Sequence, residues 1–204
     1  MSTVRPVVLR HGVEVEDPLT VVLGLLEAYP RLEMKDSSGW VAFDESDLRV
    51  ANRGGARISA AEIAAILERR RAIQRALRAI PSEASLARPT NQVPWPALRR
   101  LFDAFADIRG VGLAKMTKAL HPKRPALIPM LDSLVQRYLV DDDRGSEVAF
   151  GDRGLELVRG YKRDLDRNRV ALRAVRRELT RRGADWLTEV RILDLLILSV
   201  QAAS

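Results

Sequence analysis

Two glycines impose the tightest constraint on how this chain folds. Leu98, Leu101, Phe102, Phe105 and Ile108 recur at helical spacing, Gly110-Val111-Gly112 interrupts them, and an apolar-faced segment resumes from Leu113 to Leu120. Residues 98–120 therefore read as helix, hairpin, helix. Glycine lets the backbone turn closely, and the free amides that open the second helix can point at a phosphate oxygen. A glycine-containing turn with no ligand fits the same pattern. If a phosphate docks there, Arg109, Gly110, Val111 and Gly112 line the turn. Lys115, Lys118, Lys123 and Arg124 then supply positive charge from the residues that follow.

The rest of the chain is patterned for helices too. Asp17-Pro18 is a cap followed by a proline at the first helical position, and Leu19, Val22, Leu23 and Leu26 form one face toward Tyr29. Ser59 with Glu62 is a capping box, and Ile63, Ile66, Leu67, Ile73, Leu77 and Ile80 predict one long helix toward Pro81. Val158, Leu165, Leu172 and Leu179 recur at intervals of seven, which predicts a second long helix that Gly183 stops. Asp185 is placed to cap a last helix from Trp186 to about Val200. Short alternating pieces, Trp40-Val41-Ala42-Phe43 and Leu48-Arg49-Val50, predict a minor β-hairpin near residues 40–51. The fold class is all-α in one domain, residues 1–204. A proline-rich connector at 82–96 can divide it into two lobes, and a second connector spans residues 141–154.

Composition narrows the chemistry. With no cysteine among 204 residues, disulfides, thiolate catalysis, Cys-ligated zinc and iron-sulfur clusters are excluded together. Thirty-four Lys and Arg against 27 Asp and Glu leave a net charge of +7, which attracts polyanions. No run approaches the roughly 20 apolar residues of a spanning helix, and no signal-peptide core opens the chain, so no membrane association is expected and the cytoplasm is the default location. A monomer is the default state.

Ile108-Arg109-Gly110-Val111-Gly112, followed by Pro125-Ala126-Leu127-Ile128-Pro129-Met130-Leu131-Asp132-Ser133-Leu134-Val135, resembles the helix-hairpin-helix DNA glycosylases of the endonuclease III type. In that family the hairpin leads through a second helix and an extended apolar segment to an aspartate that opens the next helix. Asp132, 20 positions after Gly112, stands at that place. The resemblance spans about residues 98–140. It implies a two-lobed helical fold, duplex DNA as partner, and excision of a modified base flipped from the stack, with Asp132 activating water or stabilising charge on the sugar. No cofactor is expected, although a monovalent cation at the hairpin is compatible with the resemblance.

The chain departs from the family in two places. The lysine that relatives use for strand cleavage falls at Ala114, with Lys115 about 100° further around the helix, so lyase activity is disfavoured against simple hydrolysis. A position usually held by a small alanine is Met116. Asp132 is also an ordinary helix N-cap, a role compatible with catalysis. The alternative is a non-catalytic helix-hairpin-helix protein that keeps the DNA dock.

Other residues read as structural. The basic run from Arg159 to Arg182 could track a DNA backbone, but its mixture with Glu156, Asp164, Asp166 and Glu178 is better read as a solvated face. His121 sits where it can cap the end of the second hairpin helix. Trp40, Trp95, Trp186 and Tyr138 are expected in the core, and Asp141-Asp142-Asp143 is expected as a solvated acidic loop.

Overall fold

The computed structural model describes residues 4–29, 39–145 and 147–202. Among these, helices dominate: α1 (Pro18–Ala28), α2 (Glu45–Arg53), α3 (Ala60–Glu68), α4 (Arg70–Arg78), α5 (Trp95–Asp103), α6 (Leu113–Leu120), α7 (Ser133–Tyr138), α8 (Phe150–Arg167), α9 (Arg169–Arg181) and α10 (Glu189–Gln201). None is long and apolar enough to cross a membrane. The only sheet among the described residues is an antiparallel pair, β1 (Val7–Val8) with β2 (Glu14–Val15), in which Val7 faces Val15 and Val8 faces Glu14.

The minor hairpin thus lies at the start of the chain and not at residues 40–51. Residues 45–53 are helical because Asp44 and Asp47 form a capping box. Asp44 Oδ1 accepts from the Ser46 amide (2.8 Å), and Asp47 Oδ2 accepts from the Asp44 amide (2.9 Å). That cap, with Leu48 and Ala51 buried on one face, outweighs the short alternation read as strand. At α1, Asp17 accepts from the Thr20 amide (3.1 Å) with Pro18 at the first helical position, as its sequence predicts.

Both long helices expected from periodicity are broken by a single residue. Arg69 separates α3 from α4 at φ −86°, ψ 0°, a tightened turn, and Ile66, Ile73 and Leu77 are buried on its two sides. Asn168 separates α8 from α9, and its side chain explains the break. Oδ1 accepts from the Val8 amide (2.8 Å), and Nδ2 donates to the Val8 carbonyl (2.8 Å) and the Asp164 carbonyl (2.9 Å). The polar residue in the heptad stripe thereby satisfies the outer edge of β1. The last helix begins later than expected, and Thr188, not Asp185, caps it. Thr188 Oγ1 accepts from the Arg191 amide (3.1 Å) and donates to the Pro125 carbonyl (2.8 Å).

The core is one aliphatic cluster running from Val7 to Ile197 and crossing the 82–96 connector. Helix α10, with Leu193, Leu195, Leu196 and Ile197 fully covered, packs on α1, α7, α8 and α9. Helix α5 packs on α4 and α8, and α6 packs on α2. These contacts put the connection 104–112 between α5 and α6 at the surface; α5 ends at Asp103, short of the expected Ile108, and Phe105, Ile108 and Val111 turn inward from that connection.

Candidate nucleic-acid interface

The hairpin divides cleanly by burial. Ile108 and Val111 are 8% and 5% exposed, whereas Arg109, Gly110 and Gly112 face solvent. The Val111 amide donates to the Ile108 carbonyl (3.0 Å), and Gly110 has φ +81°, a conformation that favours glycine. Gly112 is the N-cap of α6, where its carbonyl accepts the Met116 amide (3.1 Å). No side chain caps this helix, so the amides of Leu113, Ala114 and Lys115 have no acceptor among the described residues. Exposed glycines beside unsatisfied helix-opening amides are chemically able to receive an anionic oxygen.

A carboxylate missed as a neighbour sits against this turn. Glu62, the reciprocal member of the capping box at the start of α3, places both oxygens 2.7 Å from Lys115 Nζ. A β-carbon added to Gly110 would come within 2.2 Å of Glu62 Oε1. The Lys115 ammonium and the Ser59 amide hold the Glu62 carboxyl below the usual range. A cavity of about 490 Å³ opens beside Gly110, where Glu62, Glu68 and Asp107 alternate with Arg69 and Arg109. Ser59 and Glu62 are legible as a cap, but nothing in one dimension shows that the Glu62 carboxylate reaches the hairpin 48 positions away.

The five cations expected around the hairpin separate in space. Arg109 is exposed beside Gly110. Lys115 is tied to Glu62, and half-buried Lys118 reaches the Gly55 carbonyl at 3.5 Å. Lys123 and Arg124 are interior residues, which corrects their placement as surface phosphate contacts. The Lys123 side chain is fully covered, with Nζ 2.7 Å from Asp47 Oδ1 and 3.1 Å from the Gly39 carbonyl. Arg124 donates to the carbonyls of Trp40 (2.7 Å), Leu77 (2.9 Å) and Ile80 (3.3 Å), ending α4 against the turn after α6. Burial selects these carbonyl partners because an unpaired interior charge is prohibitively costly. Trp40 is 51% exposed and not in the core, stacked over the Arg124 guanidinium at 5.4 Å.

Asp132 opens α7, and its Oδ1 accepts from the amides of Leu134 and Val135 (3.1 Å each). Oδ2 makes no hydrogen bond among the described residues. The segment that carries it is anchored on both sides. The Leu131 amide donates to Thr117 Oγ1 on α6 (3.0 Å), and the Met130 amide donates to Asp194 on α10 (3.3 Å). The hairpin helix, the extended segment and the capping aspartate thus occur in the expected order. Asp132 lines none of the four cavities at Gly110, Trp40, Tyr138 and Arg177. Thr117 and Asp194, both buried, carry no sequence signal beyond a polar residue on an apolar face.

Among the described residues, no group of three or more His, Asp or Glu side chains is placed to hold a metal ion. His121 follows α6, but its ring points inward. Nδ1 donates to the Ile128 carbonyl (2.7 Å), and burial pushes its pKa down to about 3, so the imidazole is neutral. The acidic loop is partnered rather than free: Asp142 faces Arg10 and Arg163, and Asp143 pairs with Arg153 (2.7 Å).

No curated protein and no solved structure matches the chain. One family model matches residues 27–200, most of the chain, and its description is a family of unknown function. The chain therefore belongs to the DUF6308 family.

Proposed function

We propose that the protein binds duplex DNA by seating a backbone phosphate on the Gly110 to Gly112 hairpin, without excising a base. The observation that carries this reading is the uncapped start of α6, where exposed Gly112 adjoins three amides with no acceptor among the described residues. A phosphate oxygen supplies what those amides lack, and the net charge of +7 draws the polyanion in. Glu62 neutralises Lys115, so in this reading the amides and Arg109 make the contact. Asp132 spends one oxygen on its own helix, a structural role that a dock without base excision fully uses.

The test is fluorescence anisotropy of a labelled duplex with wild type and Gly112→Gln. Gly112 is extended, at φ −89°, and an added β-carbon meets nothing within 4 Å, so the substitution obstructs the surface and leaves the fold intact. A loss of affinity of about tenfold or more is expected from one lost charge-assisted phosphate site. Equal affinity would remove the hairpin from the interface.

A second reading, a monofunctional glycosylase, draws on Asp132 Oδ2 at the opening of α7, which accepts no hydrogen bond among the described residues. Incubation with duplexes bearing uracil, alkylated or oxidised purines and mismatches, followed by alkali, separates the two readings. Base release abolished by Asp132→Asn, with binding retained, would replace the first reading by the second.

A further inference from the structure

The basic run from Arg159 to Arg182 splits into two chemically different faces. On α8 its cations have partners: Arg159 with Glu156 (2.7 Å), Lys162 with Asp166 (2.8 Å), Arg163 with Asp142, and Arg167 with Asp164 (3.5 Å). On α9 the compensation fails. Arg173 and Arg177 are exposed and make no ion pair or hydrogen bond among the described residues. They line an open groove of about 630 Å³ together with Arg176 and Arg181. Glu189, which lines the groove, is engaged by Arg176 (3.1 Å), and Glu178 on the same helix by Arg181.

Arg173, Arg177 and Arg181 stand at i, i+4 and i+8, so their guanidinium groups rise along one face in steps of about 6 Å. Like charges at this spacing destabilise a helix, and no carboxylate among the described residues pairs with Arg173 or Arg177. An anionic partner would. Guanidinium forks match phosphate oxygens bidentately, and a row of them along a shallow open groove suits a linear chain of phosphates better than a compact anion. Val170, 65% exposed, is the one large apolar residue on this groove's rim, too little to enter a bilayer.

We infer that the α9 groove is a second, hairpin-independent site for the sugar-phosphate backbone of a nucleic acid, with Arg173 and Arg177 as its principal contacts. It shares the ligand class of the hairpin reading but none of its residues.

The experiment measures duplex binding by anisotropy across a salt series for four proteins: wild type, Arg173→Gln/Arg177→Gln, the control Arg159→Gln/Arg163→Gln, and Gly112→Gln. Two lost phosphate contacts make the plot of log K against log salt shallower by about 1.8 in the α9 double variant. The control removes the same charge from ion-paired positions and keeps the wild-type slope. The melting temperature of the α9 variant should equal or exceed that of wild type, since its removed charges repel each other. An unchanged slope in the α9 variant, an equal change in the control, or no binding by wild type would overturn the inference. If Gly112→Gln binds as wild type while the α9 variant does not, the groove stands and the hairpin reading falls. If only Gly112→Gln fails, the groove falls and the hairpin stands.

Discussion

Lys123 and Asp47 meet 2.7 Å apart in the interior, their side chains 0% and 2% exposed, and join the turn after α6 to the first turn of α2. Removing one partner strands the other charge, so Lys123→Met should cost about 3–5 kcal/mol in urea denaturation. Asp47→Asn/Lys123→Met leaves no buried charge at the pair and retains a side-chain acceptor for the Asp44 amide. The double variant should recover most of that loss. DNA affinity per folded molecule should not change, since neither group reaches the surface.

Gly110 and Gly112 should respond differently to alanine. At Gly110 the left-handed backbone, φ +81°, strains any side chain, and Glu62 Oε1 would have to move from 2.2 Å. Gly110→Ala is expected to lose about 1–2 kcal/mol of stability from the backbone strain. Gly112→Ala, in extended backbone and open space, should melt within a few degrees of wild type by differential scanning calorimetry.

Two buried groups oppose each other in pH dependence. His121 falls from an ordinary 6.5 to about 3, so between these values the unfolded chain binds the extra proton, and stability rises with pH. Burial raises Asp194 from 3.8 to about 7, so there the native state holds the extra proton, and stability falls as pH rises. Over the shared window, 3.8 to 6.5, the two contributions cancel. Urea titrations at several pH values should show the slope of stability against pH lowered by about 1.4 kcal/mol per unit in His121→Gln. Asp194→Asn should raise that slope by about the same amount. Parallel profiles for all three proteins would refute the assignment.

Gly154 lets α8 approach both arms of the hairpin. A β-carbon there would lie 2.7 Å from Phe102 Cδ2 and 3.3 Å from Leu113 Cδ2. Phe102 is fully buried and has nowhere to turn. Gly154→Ala should therefore destabilise by about 1–3 kcal/mol despite improved helix propensity, read as a lower denaturation midpoint.

The candidate site was legible to the depth that local rules reach. Asp132 as a cap, Asp17 at α1 and the Ser59 and Glu62 box all follow from spacing and side-chain chemistry, whereas Val111, expected among the phosphate contacts, turns into the core. The misreadings share one cause. Leu48-Arg49-Val50 alternates like a strand, yet the Asp44 and Asp47 cap makes a helix. The heptad run past Asn168 looks continuous, yet that amide turns aside to hold Val8. In each case a polar side chain found a partner that periodicity does not encode.

By itself the sequence determined that this chain would be helical, aliphatic in its core, free of thiol chemistry and turned sharply at Gly110 to Gly112, because propensity, capping and glycine geometry act over a few residues. Only the tertiary structure decided which charges are available to a ligand. Lys123 and Arg124 look like hairpin contacts but are consumed by Asp47 and by the carbonyls ending α4. Arg173 and Arg177 look like part of a compensated surface but have no ion-pair partner among the described residues. Pairing acts through space, with energies set by burial, and the partners here come from distant parts of the chain as well as from neighbouring turns.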